Sequence, residues 1–284
     1  MINNIKLKSM LESFFIEDIG DGDITTQYLF DSKQMGEMQL IAKSPGIFCG
    51  EEIINRGVPI INPMVHSQLF VKNGDKVVEG TEIARIHGPI KDLLQAERVV
   101  LNLIQRMSGI ATLTAHAVDV ITGTEARICD TRKTTPGLRM LEKHAVRCGG
   151  GFNHRLSLAD AVMIKDNHIA YAGSITNAIR NLKNGLGHTI KIEVEIETED
   201  QLVEAAANNV DIIMFDNCSP QTIKQWIHHV PNNITTEASG GITMDQLYNY
   251  ATSGVDFISL GYLTHSASGL DISAQVRAEN QMAK

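Results

Sequence analysis

The sequence predicts an α/β protein: a parallel α/β barrel preceded by a smaller β-rich domain. Three observations predict it. Beyond residue 109, short apolar strands alternate with helical stretches in repeating units of about 20 to 30 residues. The strands are nearly continuous in Ile, Val, Met and Phe, the pattern of parallel strands buried on both faces. Each ends at its C-terminal side in polar or small residues, which suits a barrel whose site is built from strand ends. A doubly wound sheet would gather its ligand groups at one switch point instead.

From the N-terminus, Leu7, Met10, Leu11 and Phe14 recur at helical spacing over Ile5 to Phe15. The acidic, glycine-rich "EDIGDGDITT" that follows reads as a turn; a calcium loop needs alternating ligands and a distant Glu. Between Glu37 and His87 the stretches "MQLIAK", "GIFCG", "SQLFVK" and "EIARIHG" read as strands separated by Pro-Gly, Asn-Gly-Asp and Glu-Gly turns. Asp92 to Met107 is helical, with Val100, Leu103, Ile104 and Met107 on one face and Glu97 and Arg98 on another. Gly109 is expected to close it before a second helix over Ala111 to Ile121. This places the first domain at residues 1–108 and the barrel at 109–269, with the tail 270–284 packing on the first domain. The barrel strands are expected in "ARICD", "AVMIKD", "IKIEVEI", "DIIMFDN", "ITTEASGG" and "DFISLGY". Thr198 to Gln201 and Thr243 to Gln246 read as capping boxes, and Ser219-Pro220 as a helix start.

Composition bounds the function. Hydrophobic residues at 43% and charged residues at 20% are globular values, and 284 residues suit a large domain plus a smaller one. With no run of 18 apolar residues, neither a membrane span nor a signal peptide is expected. Cys49, Cys129, Cys148 and Cys218 show no C-x-x-C spacing, so the sequence indicates neither a disulfide framework nor a zinc site, and a reducing cytoplasm is the expected home. The net charge of −8 argues against nucleic acid as a partner.

Against that acidic balance, Arg127 to Lys165 carries eight cations and only three acids, with His144 and His154 in the same stretch. Lys143 and Arg147, spaced i, i+4, read as a solvated helix face. Arg132, Lys133, Arg155 and Lys165 instead fall at strand ends, where they would converge with His154, Glu195 and Asp216 in one mouth. Arginine holds carboxylates and phosphates bidentately, and lysine holds them as a point charge. Two carboxylates in the same place suit sugar hydroxyls or a magnesium ion bridging phosphate oxygens. Ser239, Gly240 and Gly241 after a strand offer backbone N–H groups to a phosphate. The set points to a phosphorylated sugar with an acidic partner. Arg139, on a helix start beyond Pro136-Gly137, stays open as a contact. The chain contains no Gly-Lys dipeptide for a P-loop, and neither H-E-x-x-H nor G-x-S-x-G.

The order "ERVVLNLIQRMSGIAT", "DTRKTTPGLR", "KHAVRCGGGFNHRLSLADAVMIKDNH", "EVE", "FDN", "EASGGI" and "ISLGYLTHS" resembles the quinolinate phosphoribosyltransferase family, also called nicotinate-nucleotide pyrophosphorylase (carboxylating), from near Asp18 to near Ser266. The resemblance implies an open or incomplete barrel with an N-terminal α+β sandwich domain. It also implies a reaction joining quinolinate to 5-phosphoribosyl 1-diphosphate to give nicotinate mononucleotide, carbon dioxide and pyrophosphate, with Mg2+ required. Carried over, Arg132, His154, Arg155 and Lys165 would bind the two carboxylates of quinolinate. Lys133, Glu195 and Asp216 would be catalytic and, with Thr131, Ser239, Gly240, Gly241 and Gly261, serve the substrates. Glu195 and Asp216 would reach the metal through substrate and water. Arg98 would enter from a partner subunit, making a homodimer the smallest competent unit, with a higher oligomer open. Related barrels, one of a molybdenum operon and one using nicotinate, leave the acceptor open. A non-catalytic anion-binding or carrier protein is the alternative of a different class, motivated by the carrier-like turns of "VKNGDKVVEGTEIARIHG".

Overall fold

The computed structural model describes residues 2–278, which divide into two compact units. The first holds the chain up to Leu113, Met140–Gly150 and the segment from Ser266. The second holds Thr114–Arg139 and Gly151–His265.

In the first unit α1 (Asn4–Ile19) begins at Asn3, whose side-chain oxygen accepts the Lys6 N–H, and it buries Leu7, Leu11 and Phe15 along one face. Asp23, from the acidic turn, caps α2 (Ile24–Leu29). Then come β1 (Met35–Ala42), β2 (Gly46–Ile47), α3 (Glu51–Ile61), β3 (His66–Leu69), β4 (Lys76–Val77) and β5 (Glu82–Pro89). The sequence reading lacks α3, which lies between the stretches "GIFCG" and "SQLFVK" read as strands. The Gly50 and Glu51 amides donate to Asn73 Oδ1 at 2.8 and 3.2 Å, securing the start of α3, and Gly57 admits the side chains of Leu11, Phe15 and Val100.

A further correction concerns α4 (Ile90–Val120), which is one helix of 31 residues. Gly109 does not close it. A Cβ there would lie 1.9 Å from the Ser268 carbonyl oxygen, so this glycine permits a close backbone crossing. After β6 (Arg127–Cys129) comes α5 (Arg139–Cys148), of which all but Arg139 belongs to the first unit. Lys143, read as solvated, is buried there beside buried Leu141, Ala145 and Val146, while Arg147 is exposed. The buried Glu142 carboxylate accepts from Arg106 Nε and Nη2 at 2.9 and 2.7 Å.

The chain continues through β7 (Val162–Ile164), α6 (Asp166–Ala172), α7 (Ile175–Lys183), β8 (Ile192–Ile196), α8 (Glu199–Ala207), β9 (Ile212–Asp216), α9 (Pro220–Trp226), β10 (Thr235–Ser239), α10 (Leu247–Ala251), β11 (Phe257–Ser259), α11 (Tyr262–His265) and β12 (Ile272–Ala278). Thr198 and Gln201 form the expected capping box on α8, and Ser219 with Pro220 starts α9. Thr243 caps no helix among the described residues. Residues 243–247 form tight turns, with the Gln246 and Leu247 amides donating to the Thr243 and Met244 carbonyls, so α10 starts only at Leu247.

The first unit's antiparallel sheet has the order β12-β1-β5-β3, and β12 is the described part of the C-terminal tail; residues 279–284 lie outside the described residues. The second unit's sheet is entirely parallel, in the order β6-β11-β10-β9-β8-β7. Residues from both ends of that order, Lys133 after β6 and Lys165 after β7, line one cavity, so the sheet curls into an α/β barrel. Among the described residues no helix is long and apolar enough to cross a membrane.

Candidate active site

Strand periodicity builds the site. Register aligns Glu195 with Met214, Asp216 with Ser239 and Ser259 with Cys129, so the C-terminal ends lie level. With a period of two, Met163 and Lys165, Met214 and Asp216, and Ser239 and Ser259 face inward, while Val194, Ile213, Phe215, Ala238 and Ile258 are buried behind them. The inward set surrounds a cavity of about 450 Å³. Four cations, Arg132, Lys133, Arg155 and Lys165, outnumber two carboxylates, Glu195 and Asp216, around it.

Each cation is placed by the strand it follows. Arg132 and Lys133 leave β6, where Thr131 Oγ1 accepts the Lys133 amide at 3.0 Å. The Arg132 Nε is buried with no hydrogen-bond partner among the described residues, which marks a donor awaiting an anion. Arg155 donates from Nη1 to the Ala161 carbonyl at 2.9 Å. Its pKa is lowered by burial and by the Arg132 guanidinium, two cations that a shared dianion would relieve. Lys165 forms a short ion pair with Glu195. Burial raises the Glu195 pKa, Lys165 opposes the rise, and Asp216 and Glu193 add to it.

On the far side, Gly240 and Gly241 turn the backbone after β10 with φ of 93° and 61°. A Cβ on Gly240 would sit 2.3 Å from Asn217 Oδ1, so only glycine lets the two strand ends approach. Asn217 is itself left-handed at φ 53°, and it donates from Nδ2 to Asp216 at 2.9 Å.

The floor is a triad of half-buried His154 and buried Glu193 and Glu237. Asp130 anchors the approach, accepting the His154 amide at 2.9 Å and Asn153 Nδ2 at 2.6 Å. His154 Nδ1 accepts the Arg155 amide at 2.8 Å, so Nε2 carries the proton that faces Glu193, 3.0 Å away. Burial pushes the Glu237 carboxyl up to about 7, with Glu193 adding to the shift and His154 and the Ser259 hydroxyl opposing it. The folded protein therefore holds a proton that an unfolded glutamate releases near 4.5, and the associated stability disappears as pH rises through 7. Thermal melts of the native protein should lose stability relative to Glu237→Gln between pH 5 and 7.5, on the order of 2 kcal/mol or roughly 4–8 °C. Parallel pH profiles of the two proteins would overturn this.

The sequence matches two family models, "Quinolinate phosphoribosyl transferase, N-terminal domain" over residues 23–108 and "Quinolinate phosphoribosyl transferase, C-terminal domain" over residues 110–275. The chain belongs to the quinolinate phosphoribosyltransferase family. It is 54% identical over 280 residues to a probable nicotinate-nucleotide pyrophosphorylase [carboxylating] of Bacillus subtilis, covering 99% of this chain and 96% of the relative. It is 35% identical to a mitochondrial quinolinate phosphoribosyltransferase [decarboxylating] of Nicotiana tabacum, over 96% of this chain and 83% of the relative. The crystal structure of NadC from Streptococcus pyogenes superposes with a TM-score of 0.94 at 37% identity, covering 98% of this chain and 99% of that one.

Of the residues the sequence singled out, Thr131, Arg132, Lys133, His154, Arg155, Lys165, Glu195, Asp216, Ser239, Gly240 and Gly241 line the cavity together. Gly261 and Arg98 are not among its lining residues. Gly261 makes room beside it: a Cβ there would lie 2.9 Å from Lys133 Cδ. Arg98 lies on α4 in the first unit, its side chain 61% exposed and 4.0 Å from Glu97. Arg139 is engaged with Thr134 Oγ1 at 2.9 Å and the Leu156 carbonyl at 3.2 Å, so it braces the loop after β6. The sequence reading missed Met163 and Met214 in the lining, and it named Asn217 and Ser259 in the lining and Glu193 and Glu237 beneath it only as polar strand ends, without assigning them to the site. The signal for the two glutamates was available: each stands two residues before an inward-facing strand-end residue, Glu195 or Ser239.

Proposed function

We propose that the cavity joins quinolinate to 5-phosphoribosyl 1-diphosphate, with loss of carbon dioxide, as a step in NAD biosynthesis. The observation that carries this reading is four cations and two carboxylates at level strand ends around one cavity. Arg132, Arg155 and Lys165 suit the adjacent carboxylates of the acceptor, Arg132 Nε supplies a buried donor for one of them, and His154, engaged with Glu193, borders them through its accepted Arg155 amide. Lys133 and the turn at Ser239, Gly240 and Gly241 suit the phosphates of the donor.

As the C1–pyrophosphate bond loosens, positive charge grows on the ribose. Glu195 and Asp216 lie where carboxylates oppose that charge through the ribose hydroxyls, and Lys133 meets the charge on the departing pyrophosphate. The pyridine nitrogen takes the place of pyrophosphate at C1. The ring's 2-carboxylate then leaves as carbon dioxide, and the carbanion at C2 takes one proton. The cationic ring carries that step, and Arg132 and Arg155 orient it. The oxygen donors Asp166, Glu195, Glu197 and Asp216, which border a smaller adjoining cavity, suit a hard cation. Glu195 and Asp216 would hold magnesium through substrate and water, and when bound it supplies charge neutralisation on the diphosphate. The reading includes a homodimer in which Arg98 serves the partner's cavity.

Incubation with the donor, magnesium and quinolinate should release carbon dioxide and form nicotinate mononucleotide in equal amounts, with little product from nicotinate. Turnover of nicotinate without quinolinate turnover would overturn the choice of acceptor.

A further inference from the structure

The first unit brings Cys49 together with two residues far from it in sequence. Cys49 precedes α3, and His144 and Cys148 stand one turn apart on α5. Cys49 Sγ, His144 Nε2 and Cys148 Sγ all lie within 4.8 Å of one another. Cys148 Sγ is 3.5 Å from His144 Nε2, and Glu52 Oε2 is 3.7 Å from the same nitrogen. Zinc bonded tetrahedrally to sulfur at about 2.3 Å and nitrogen at about 2.0 Å sets those two ligand atoms about 3.5 Å apart.

A supporting layer surrounds these groups. Because Asn73 Oδ1 accepts the Gly50 and Glu51 amides, its orientation is fixed and Nδ2 donates to Glu52 Oε2 at 2.9 Å. Such outer hydrogen bonds orient ligands in built metal sites. Cys49 is buried and Cys148 half-buried, so an ion can enter from the Cys148 side.

We propose that Cys49, His144 and Cys148 form a zinc-binding site, with Glu52 or a water as the fourth ligand. Two thiolates and an imidazole select zinc over magnesium, which separates this site from the oxygen donors of the barrel. Binding releases the two thiol protons, leaving the ion and its thiolates neutral together. The bound ion would staple the start of α3 to the end of α5.

The test uses the whole protein, reduced, stripped with chelator and titrated with cobalt(II) chloride alone under anaerobic conditions. One cobalt per chain is expected, with near-ultraviolet thiolate-to-cobalt absorption and the visible bands of a tetrahedral site, all displaced by zinc chloride. Cys148→Ser and His144→Asn should each lose the absorption and weaken cobalt binding by at least about tenfold. Cys148 is half-buried, so Cys148→Ser carries the test if Cys49→Ser fails to fold, with circular dichroism confirming its fold. No thiolate absorption, or absorption unchanged in Cys148→Ser, would overturn the proposal. So would a chain two hydrogens lighter that takes up no metal, because the thiols would then be a disulfide.

Discussion

Arg132→Ala is expected to lower kcat/KM for quinolinate by about 10²- to 10³-fold, while the KM for the phosphoribosyl donor changes little. A charge-assisted, bidentate arginine–carboxylate contact in a partly enclosed site is worth about 3–4 kcal/mol when one partner is removed. Arg132 is set up for such a contact, since its Nε is buried and without a partner among the described residues. Stability should not fall with activity. Truncation removes an unmet donor and the repulsion that helps lower the Arg155 pKa, so thermal unfolding should hold steady or rise. Arg132→Lys keeps the charge but not the fork, and should recover only part of the loss. Steady-state kinetics with each substrate varied in turn check this. An effect confined to the donor would assign Arg132 to the phosphates instead.

Much of the barrel is legible because its signals are local. Apolar strands, capping at Thr198 and Ser219 and polar strand ends each need only a few neighbouring residues to declare themselves. What the sequence concealed is what distant segments decide. Gly109 looks like a helix end until the Ser268 backbone is seen passing 1.9 Å from where its Cβ would lie. The helix α3 goes unread in the sequence, yet α1 and α4 side chains pack around its Gly57. Nor does the pattern of α5 tell which unit it joins, so Lys143, polar by type, reads as solvated when it is buried.

The site divides in the same way. Its cations are conspicuous because they interrupt an acidic chain at strand ends, whereas Glu193 and Glu237, which also stand near strand ends, give no sign in the sequence of how deeply they are buried. Burial is what gives these acids their chemistry, and burial is a property of the closed sheet. The Cys49, His144 and Cys148 cluster is hidden more deeply still. Spacing along the chain indicates no metal site, and only the packing of α5 beside the residue before α3 assembles one.

The second large effect concerns Arg98, which the family resemblance assigns to the partner's cavity. Lys133→Ala and Arg98→Ala should each fall below about 10⁻³ of native activity, the first by removing a cation opposing the diphosphate's charge and the second by removing the substrate contact that the partner would supply. If Arg98 acts in trans across a two-fold dimer, mixing the inactive variants creates one intact site. In a mixed dimer, the cavity of the Arg98→Ala chain keeps Lys133 and receives Arg98 from the other chain, while the second cavity lacks both. Random exchange at equal amounts makes half the dimers mixed and half of their sites whole, so about a quarter of native activity should return. The recovered kcat/KM per intact site should equal the native value, because that site is chemically unaltered. Exchange is verified by native mass spectrometry of differently tagged chains. Full exchange without recovery would place Arg98 in its own chain's chemistry or outside it. The exposure of its side chain, 61%, would then be that of an ordinary surface arginine.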